Sequence, residues 1–495
     1  MNMNIHSRCL LTQGVKMGSE DKVHLLAQFK SETGDMVGSP FDLPVDISVQ
    51  GLQMICNALL QKEGDEVTPY TFFVNEKEVV NNLEFTLKED KLDTEKVLEI
   101  IYQPQAVFRV RAVTRCTSSM PGHAEAVISA LFSPDGRSLA SGSGDTTVRF
   151  WDINTETPHH TCKSHKHWVL CVAWSPDGRK LASADKNGMI CIWDPDTGKQ
   201  IGKPLTGHKQ WVTFLAWEPM HLNPNCRKVA SSSKDGDIKI WDAILGNILI
   251  TLSGHKLSVT CIRWGANGLL YSSSQDRTIK LWRPEDGILC RTLEGHAHWV
   301  NSLALSTDYV LRTGAFDPRE ASLVYTQVDE PLEVLQKKAQ TRVDSILSLG
   351  PERLVSGSDD FTLFLWSPTQ DKKPRARLTG HQQLVNDVKF SPDSRIIASA
   401  SFDKSIKLWD GFTGKFLSSL RGHVQSVYQI AWSADSRLLV SGSADSTLKV
   451  WSLKTKKIEL DLPGHADEIY AVDWSPDGQR VVSGGKDKVI KIWRH

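Results

Sequence analysis

The sequence predicts a mainly β protein, an eight-bladed β-propeller preceded by a small α+β domain, and three observations predict it. A tryptophan closes a stretch of apolar alternation eight times, at Trp151, Trp193, Trp241, Trp282, Trp366, Trp409, Trp451 and Trp493. The steps between neighbours are 42, 48, 41, 84, 43, 42 and 42 residues, the period of a four-stranded blade with one step doubled. The stretch before the first unit lacks this period and mixes strand-like and helix-like patterns instead.

Each unit carries the same punctuation. Gly122-His123 opens one, Pro134-Asp135-Gly136 makes a tight turn between two strands, and Ser141-Gly142-Ser143-Gly144-Asp145 leads to Val148-Arg149-Phe150-Trp151-Asp152. These marks resemble the WD40 family. In that family the His, a strand Ser or Thr, the Asp and the Trp form a hydrogen-bonded chain inside each blade. Here the set is His123, Asp145 and Trp151, and it recurs as His208, Asp235, Trp241, as His381, Asp403, Trp409, as His423, Asp445, Trp451 and as His465, Asp487, Trp493. A His beside an Asp invites a catalytic reading. Recurrence in blade after blade fits a structural device that satisfies buried polar groups.

The doubled step lies between Gly295-His296 and Gly380-His381, where only one Trp-closed unit, ending at Trp366, is found. Residues 316–342 carry no His-Asp-Trp set but place Leu332, Val334, Leu335 and Ala339 at helical spacing. Propellers have about four to eight blades. The expectation is therefore eight blades and one inserted segment near 316–342. The last blade needs an outer strand after Trp493, and Ala106 to Arg115 is expected to supply it and close the ring. There Val107, Arg109 and Arg111 alternate with Phe108, Val110 and Ala112.

Composition bounds the rest. Nine cysteines stand singly with no CxxC pair, which argues for a reducing, intracellular compartment and against zinc fingers or a disulfide framework. No run of apolar residues is long enough for a membrane span, so no membrane partner is expected. Residues 1–21 read as a disordered leader, with Met17 a possible second start. The formal net charge of zero conceals an asymmetry: residues 22–103 hold 7 basic and 15 acidic side chains, leaving the remainder at +8. The two parts are expected to meet different partners.

From Val23 the pattern reads strand, turn at Thr33-Gly34-Asp35, strand to Val45, a helix through Leu52, Ile55, Leu59 and Leu60, and a final strand at Val97-Leu98-Glu99-Ile100-Ile101-Tyr102. This order gives residues 22–104 a ubiquitin-like (β-grasp) fold, without the free Gly-Gly end that conjugation requires. The propeller takes 105–495. An acidic ubiquitin-like module joined to an eight-bladed WD40 ring resembles the Notchless family, WD40 proteins of ribosome assembly with an N-terminal NLE domain. A sister family with the same pairing typically has seven blades.

The resemblance implies a nuclear and nucleolar protein that acts on the pre-60S ribosomal particle, its RNA and proteins. It also implies that the ubiquitin-like module offers one carboxylate to the metal-ion-dependent adhesion site of midasin, a dynein-related AAA ATPase. The position before the last strand, Leu92-Asp93-Thr94-Glu95-Lys96, matches that ligand to Glu95, with Asp93 its rival. A hard Mg²⁺ with an open octahedral position takes such an oxygen readily. The metal would belong to the partner's site. No cofactor and no metal site are expected of this chain alone.

Three units place a tryptophan just before the first strand's valine, at Trp168, Trp211 and Trp299, near the expected rim of the channel. Large rigid rings there would make a docking surface, or would pack between blades. Lys186, Lys234, Arg277 and Lys404, beside the blade aspartates, are candidate phosphate contacts. No Walker loop, HExxH or nucleophile elbow occurs, so a non-catalytic assembly factor is expected. The alternatives are a signalling adaptor for the Notch intracellular region and a WD40 substrate receptor of a ubiquitin ligase.

Overall fold

The computed structural model describes residues 24–31, 36–60, 70–74, 77–79, 83, 86, 97–104, 110–318 and 330–495. They fall in two units, Met1–Val107 and Phe108–His495. The expected leader, residues 1–21, lies outside the described residues.

In the first unit, strands β1 (His24–Ser31) and β2 (Met36–Pro44) precede helix α1 (Val49–Leu59). Strands β3 (Tyr70–Val74), β4 (Lys77–Glu78) and β5 (Leu98–Pro104) follow, in the sheet order β2-β1-β5-β3-β4. Only β1 and β5 run parallel. The Ser48 hydroxyl accepts from the Gly51 N–H at 3.3 Å and starts the helix. Leu52 and Cys56 then face the sheet against Phe29, Phe72 and Ile100. Leu59, in the last turn of the helix, is exposed.

The second unit is a succession of eight antiparallel sheets. The first runs Val127–Phe132, Ser138–Ser143, Thr147–Asp152 and Thr157–Lys163, and its pattern repeats. The second sheet keeps three strands, and its outer segment makes only isolated bridges, Ile190 with Leu205 and Trp193 with Gln200. Between successive sheets lies one apolar cluster, such as Ala140, Val148 and Phe150 of the first sheet against Val172 and Trp174 of the second. Ala471, Val482 and Ile492 of the eighth sheet pack with Val127, Phe132 and Trp151 of the first.

The eighth sheet takes its outer strand from the start of the unit, β6 (Arg115–Pro121), paired so that Cys116 faces Trp493 and Met120 faces Ile490. The expected strand, Ala106 to Arg115, ends where the observed one begins. Apolar alternation misled because an outer strand buries little. In β6 only Met120 is buried, just as only Cys162 is in Thr157–Lys163 and only Leu462 in Lys457–Pro463. Val113, of the preceding stretch, is buried between the seventh and eighth sheets.

The doubled step is one interrupted sheet. Val300–Leu305 and Leu354–Ser358 are its first two strands, and residues 306–353 lie between them, with helices α2 (Asp308–Thr313) and α3 (Leu332–Leu347). The insertion is thus wider at both ends than 316–342. Its helical stripe is Leu335, Ala339 and Val343, while Val334 faces out.

This segment spans the ends of the other sheets. Arg312 forms a bidentate pair with Asp473 of the eighth sheet, one bond at 2.8 Å, and Tyr309 reaches the Pro476 carbonyl at 3.5 Å. Asp308 meets Arg263 of the fourth sheet at 3.3 Å. Leu335 and Ala339 pack on Met220 and Cys226 of the third, and Arg353 donates to the Gly411 carbonyl of the sixth at 2.9 Å. Gly314, at φ 55°, passes the second sheet so closely that a Cβ would sit 2.6 Å from the Pro176 carbonyl oxygen. Glu352, fully buried, accepts from the Ala266 N–H (2.8 Å), the Tyr271 hydroxyl (2.9 Å) and the Thr307 hydroxyl (2.6 Å). Burial raises its carboxyl above the ordinary glutamate value, against those donors.

One hydrogen-bonded chain recurs inside all eight sheets. In the first, His123 Nδ1 lies 2.9 Å from Asp145, His123 Nε2 lies 2.8 Å from Ser141 Oγ, and Trp151 Nε1 donates to that oxygen at 2.8 Å. With the imidazole proton on Nδ1, the indole N–H donates to the serine, the serine O–H to His Nε2, and the His Nδ1–H to the aspartate. The second aspartate oxygen accepts the Thr147 N–H at 2.9 Å. Burial works to raise the Asp145 carboxyl, but the bonds from His123, Thr147 and the Ala124 N–H outweigh it and hold it far below the usual carboxylate range. Burial also lowers His255 and His381, despite their aspartates.

Both shifts have the same sign for stability. An aspartate with a depressed folded pKa stabilises above its unfolded value near 4, and a histidine held neutral does so above about 6.5. Stability is expected to fall as pH drops below about 6.5, from His255 and His381, and to fall further below about 4 as the aspartates lose their advantage, measured as urea midpoints across pH. Asp403→Ala should cost about 2 kcal/mol and flatten the acid limb. For the insertion, Arg312→Leu leaves the buried Asp473 carboxylate uncompensated and should cost about 3 kcal/mol. The double variant with Asp473→Asn should recover part of that loss, and additive losses in the thermal midpoint would refute the pairing.

Candidate functional site

Each first strand starts at one end of its sheet, called here the upper end, and finishes at the end the insertion covers. At the upper end, a backbone bond ties the residue before that strand to the turn between the second and third strands: the Lys186 N–H donates to the Trp168 carbonyl (3.0 Å), Lys234 to Trp211 (2.8 Å) and Asp359 to Trp299 (2.9 Å). The rim tryptophans and the turn residues are therefore held side by side.

Trp168, Trp211 and Trp299 are 48, 40 and 42 % exposed, so none is packed away between sheets. The structure joins the first two. Lys186 Nζ lies 5.2 Å from the Trp168 ring centre and 4.3 Å from that of Trp211, and Lys234 Nζ lies 4.6 Å from Trp211. Trp299 stands apart, beside His298 (5.3 Å between ring centres), which pairs with Asp359 at 3.5 Å. Arg277 and Lys404 occupy a later turn position, at φ 70°, with their side chains exposed.

The upper end is chemically divided. Over the second to fourth sheets its cations are Lys166, Lys186, Lys209, Lys234, Lys256 and Arg277. The carboxylates there are engaged: Asp185, Asp235 and Asp276 by histidines and Asp237 by the Ser253 hydroxyl at 2.7 Å. Across the later sheets Phe402 and Tyr428 meet edge-on at 5.6 Å, Tyr428 and Tyr470 lie tilted at 5.5 Å, and Glu468 accepts from both phenols, at 3.2 and 2.9 Å. Burial and the bond to Glu468 push the Tyr470 phenol up to about 12. That tyrosine cluster was missed by a search for rings just before the first strand, because Tyr428 and Tyr470 come one residue after its first positions, Val427 and Ile469.

The five His-Asp-Trp sets named from sequence, His123 with Asp145 and Trp151, His208 with Asp235 and Trp241, His381 with Asp403 and Trp409, His423 with Asp445 and Trp451, and His465 with Asp487 and Trp493, each close through a serine. Three further sets were missed: His165, Asp185, Trp193; His255, Asp276, Trp282; and His296, Asp360, Trp366. The second sheet's aspartate stands two residues nearer its serine than the others do, and in the fifth sheet the insertion separates His296 from Asp360. His255 and Asp276 had the ordinary signature. The recurrence of the chain in all eight sheets, with its serines buried, fits a structural device that satisfies buried polar groups. Glu95 and Asp93 lie outside the described residues. Among the described residues, no three or more His, Cys, Asp or Glu side chains gather as metal ligands.

Comparison with known proteins agrees with this geometry. The NLE (NUC135) domain family matches residues 25–87, and the WD domain, G-beta repeat, matches 114–152, 156–194, 198–242, 246–283, 372–410, 414–452 and 456–494. Those seven matches pass over the interrupted fifth sheet. A computationally designed protein, Ika8, aligns with a TM-score of 0.60 at 27% identity, covering 77% of this chain and all of its own. Protein Notchless of Drosophila melanogaster is 60% identical over 371 residues, 75% of each chain. The Notchless protein homolog of Arabidopsis thaliana is 55% identical over 81% of this chain and 83% of its own. Ribosome assembly protein 4 of Saccharomyces cerevisiae is 48% identical over 78% of each. An NLE domain followed by WD repeats, shared at this identity along most of its length, makes the chain a member of the Notchless family.

Proposed function

We propose that the chain is a non-catalytic factor in assembly of the large ribosomal subunit, acting in the nucleus and nucleolus. The observation that carries this reading is the 48% identity to a ribosome assembly protein over 78% of the chain. On this reading the eight sheets form a closed eight-bladed propeller that docks on the pre-60S particle, and the first unit is a β-grasp module. Packing of the eighth sheet on the first, and the β2-β1-β5-β3-β4 order, support those two statements.

The β-grasp module would engage midasin through Glu95, whose carboxylate completes a Mg²⁺ site held by the partner. ATP hydrolysis in midasin would then pull on a body that the insertion has braced, so that force reaches the particle instead of being spent in deforming the sheets. The Notch adaptor reading draws support only from the names of two relatives.

The test is binding of the full chain to midasin's adhesion-site domain, with and without EDTA. Wild type should bind only with metal, and Glu95→Ala should lose binding while its thermal midpoint stays unchanged. Glu95→Asp keeps the charge but shortens the reach by one methylene, so it should behave like Ala if geometry matters. Binding by the Asp variant equal to wild type would point to charge attraction alone, and unchanged binding by Glu95→Ala would remove the assignment.

A further inference from the structure

The upper end over the second and third sheets carries a pattern that neither the fold nor the Glu95 clasp uses. In each of two neighbouring loops a lysine stands two residues before an exposed tryptophan, Lys166 before Trp168 and Lys209 before Trp211. The turn beside each loop adds a second lysine, Lys186 and Lys234. One ammonium, that of Lys186, lies within cation–π distance of both rings, so the two indoles stand next to each other. Among the described residues none of the four lysines is paired with a carboxylate. The opposite end of the sheets carries α2 and α3.

The repeating element is therefore one or two cations and one flat ring per sheet. A single nucleic-acid strand presents the complement, one phosphate and one unstacked base per nucleotide. An acidic peptide would use the lysines but would leave both rings without a planar partner, and a duplex hides its base faces in its own stack. We propose that Trp168 and Trp211, with Lys166, Lys186, Lys209 and Lys234, form a binding site for single-stranded RNA, bases stacking on the indoles and phosphates drawing the lysines off them. The site deepens the reading of the repeat unit as the part that docks on the ribosomal particle, and it rests on that reading for the choice of RNA over DNA.

The experiment uses the full chain and three labelled probes, a twelve-residue oligouridine, an RNA duplex of equal length and a polyglutamate peptide, followed by fluorescence anisotropy across a salt series. Oligouridine should bind tightest, with affinity falling as salt rises. The pair Trp168→Ala and Trp211→Ala should weaken it on the order of 10- to 100-fold without changing the salt slope. Lys186→Ala with Lys234→Ala should lower that slope by about 0.7 per lysine. Trp168→Phe with Trp211→Phe should restore most of the binding, which a merely structural role for the rings would not require. Unfolding midpoints should not move, since both rings are exposed.

Equal binding of duplex or polyglutamate, or oligouridine binding that ignores the tryptophans, would overturn the proposal in favour of a surface for an acidic protein. Absence of oligouridine binding at the lowest salt would overturn it as well. Co-sedimentation of wild type with large-subunit precursors, read in parallel, separates the two readings: if it persists while oligouridine fails, only the RNA site falls.

Discussion

Everything in the repeat unit depends on satisfying a handful of polar atoms where water cannot reach. Four strands packed face to face with their neighbours bury backbone and side chain alike, and a tryptophan at each third strand brings an indole N–H into that interior. Serine, histidine and aspartate carry the proton ledger from that N–H out to the turn at the upper end. Because the aspartate also accepts backbone N–H groups from the adjoining loop and turn, the same chain that closes the core fixes the shape of the surface. The rim tryptophans inherit their places from it. Polar order inside and presentation outside are one construction.

Much of this was legible in the residues and some was not. Tryptophan spacing is a record of packing period, so the sheets could be counted before any coordinate was known. Outer strands left a weak trace because each buries a single side chain, Met120 in β6 and Leu462 in its counterpart, and a search for alternation therefore settled on the stretch just before β6. His296 and Asp360 were invisible as a pair, since their contact is made in space across a long excursion of the chain. Helical spacing marked α3, yet α2 escaped. Its one short turn is determined by what it reaches, Asp473 and Asp308's partner Arg263, not by a stripe of its own.

At the candidate surface the sequence supplied the right tryptophans without their arrangement. Trp168, Trp211 and Trp299 occupy equivalent positions in their repeats and looked alike on that ground. The lysines made them different: Lys186 bridges the first two, while an aspartate and a histidine accompany the third. Neighbour identity in the adjoining turn, a separate segment of sequence, decides what each ring is offered to.

The pairing of β6 with the final strand has a consequence in time. Ribosomes make Arg115–Pro121 before any sheet of the repeat unit, and its partner Val489–Arg494 emerges last. The first strand to be born is thus the last to find its place. Throughout synthesis, Val127 and Phe132 of the first sheet wait for Ala471 and Val482 of the eighth with their apolar face uncovered. An apolar seam that stays open until the eighth sheet is made is a surface on which partly made chains can associate, a hazard set by the order of the strands.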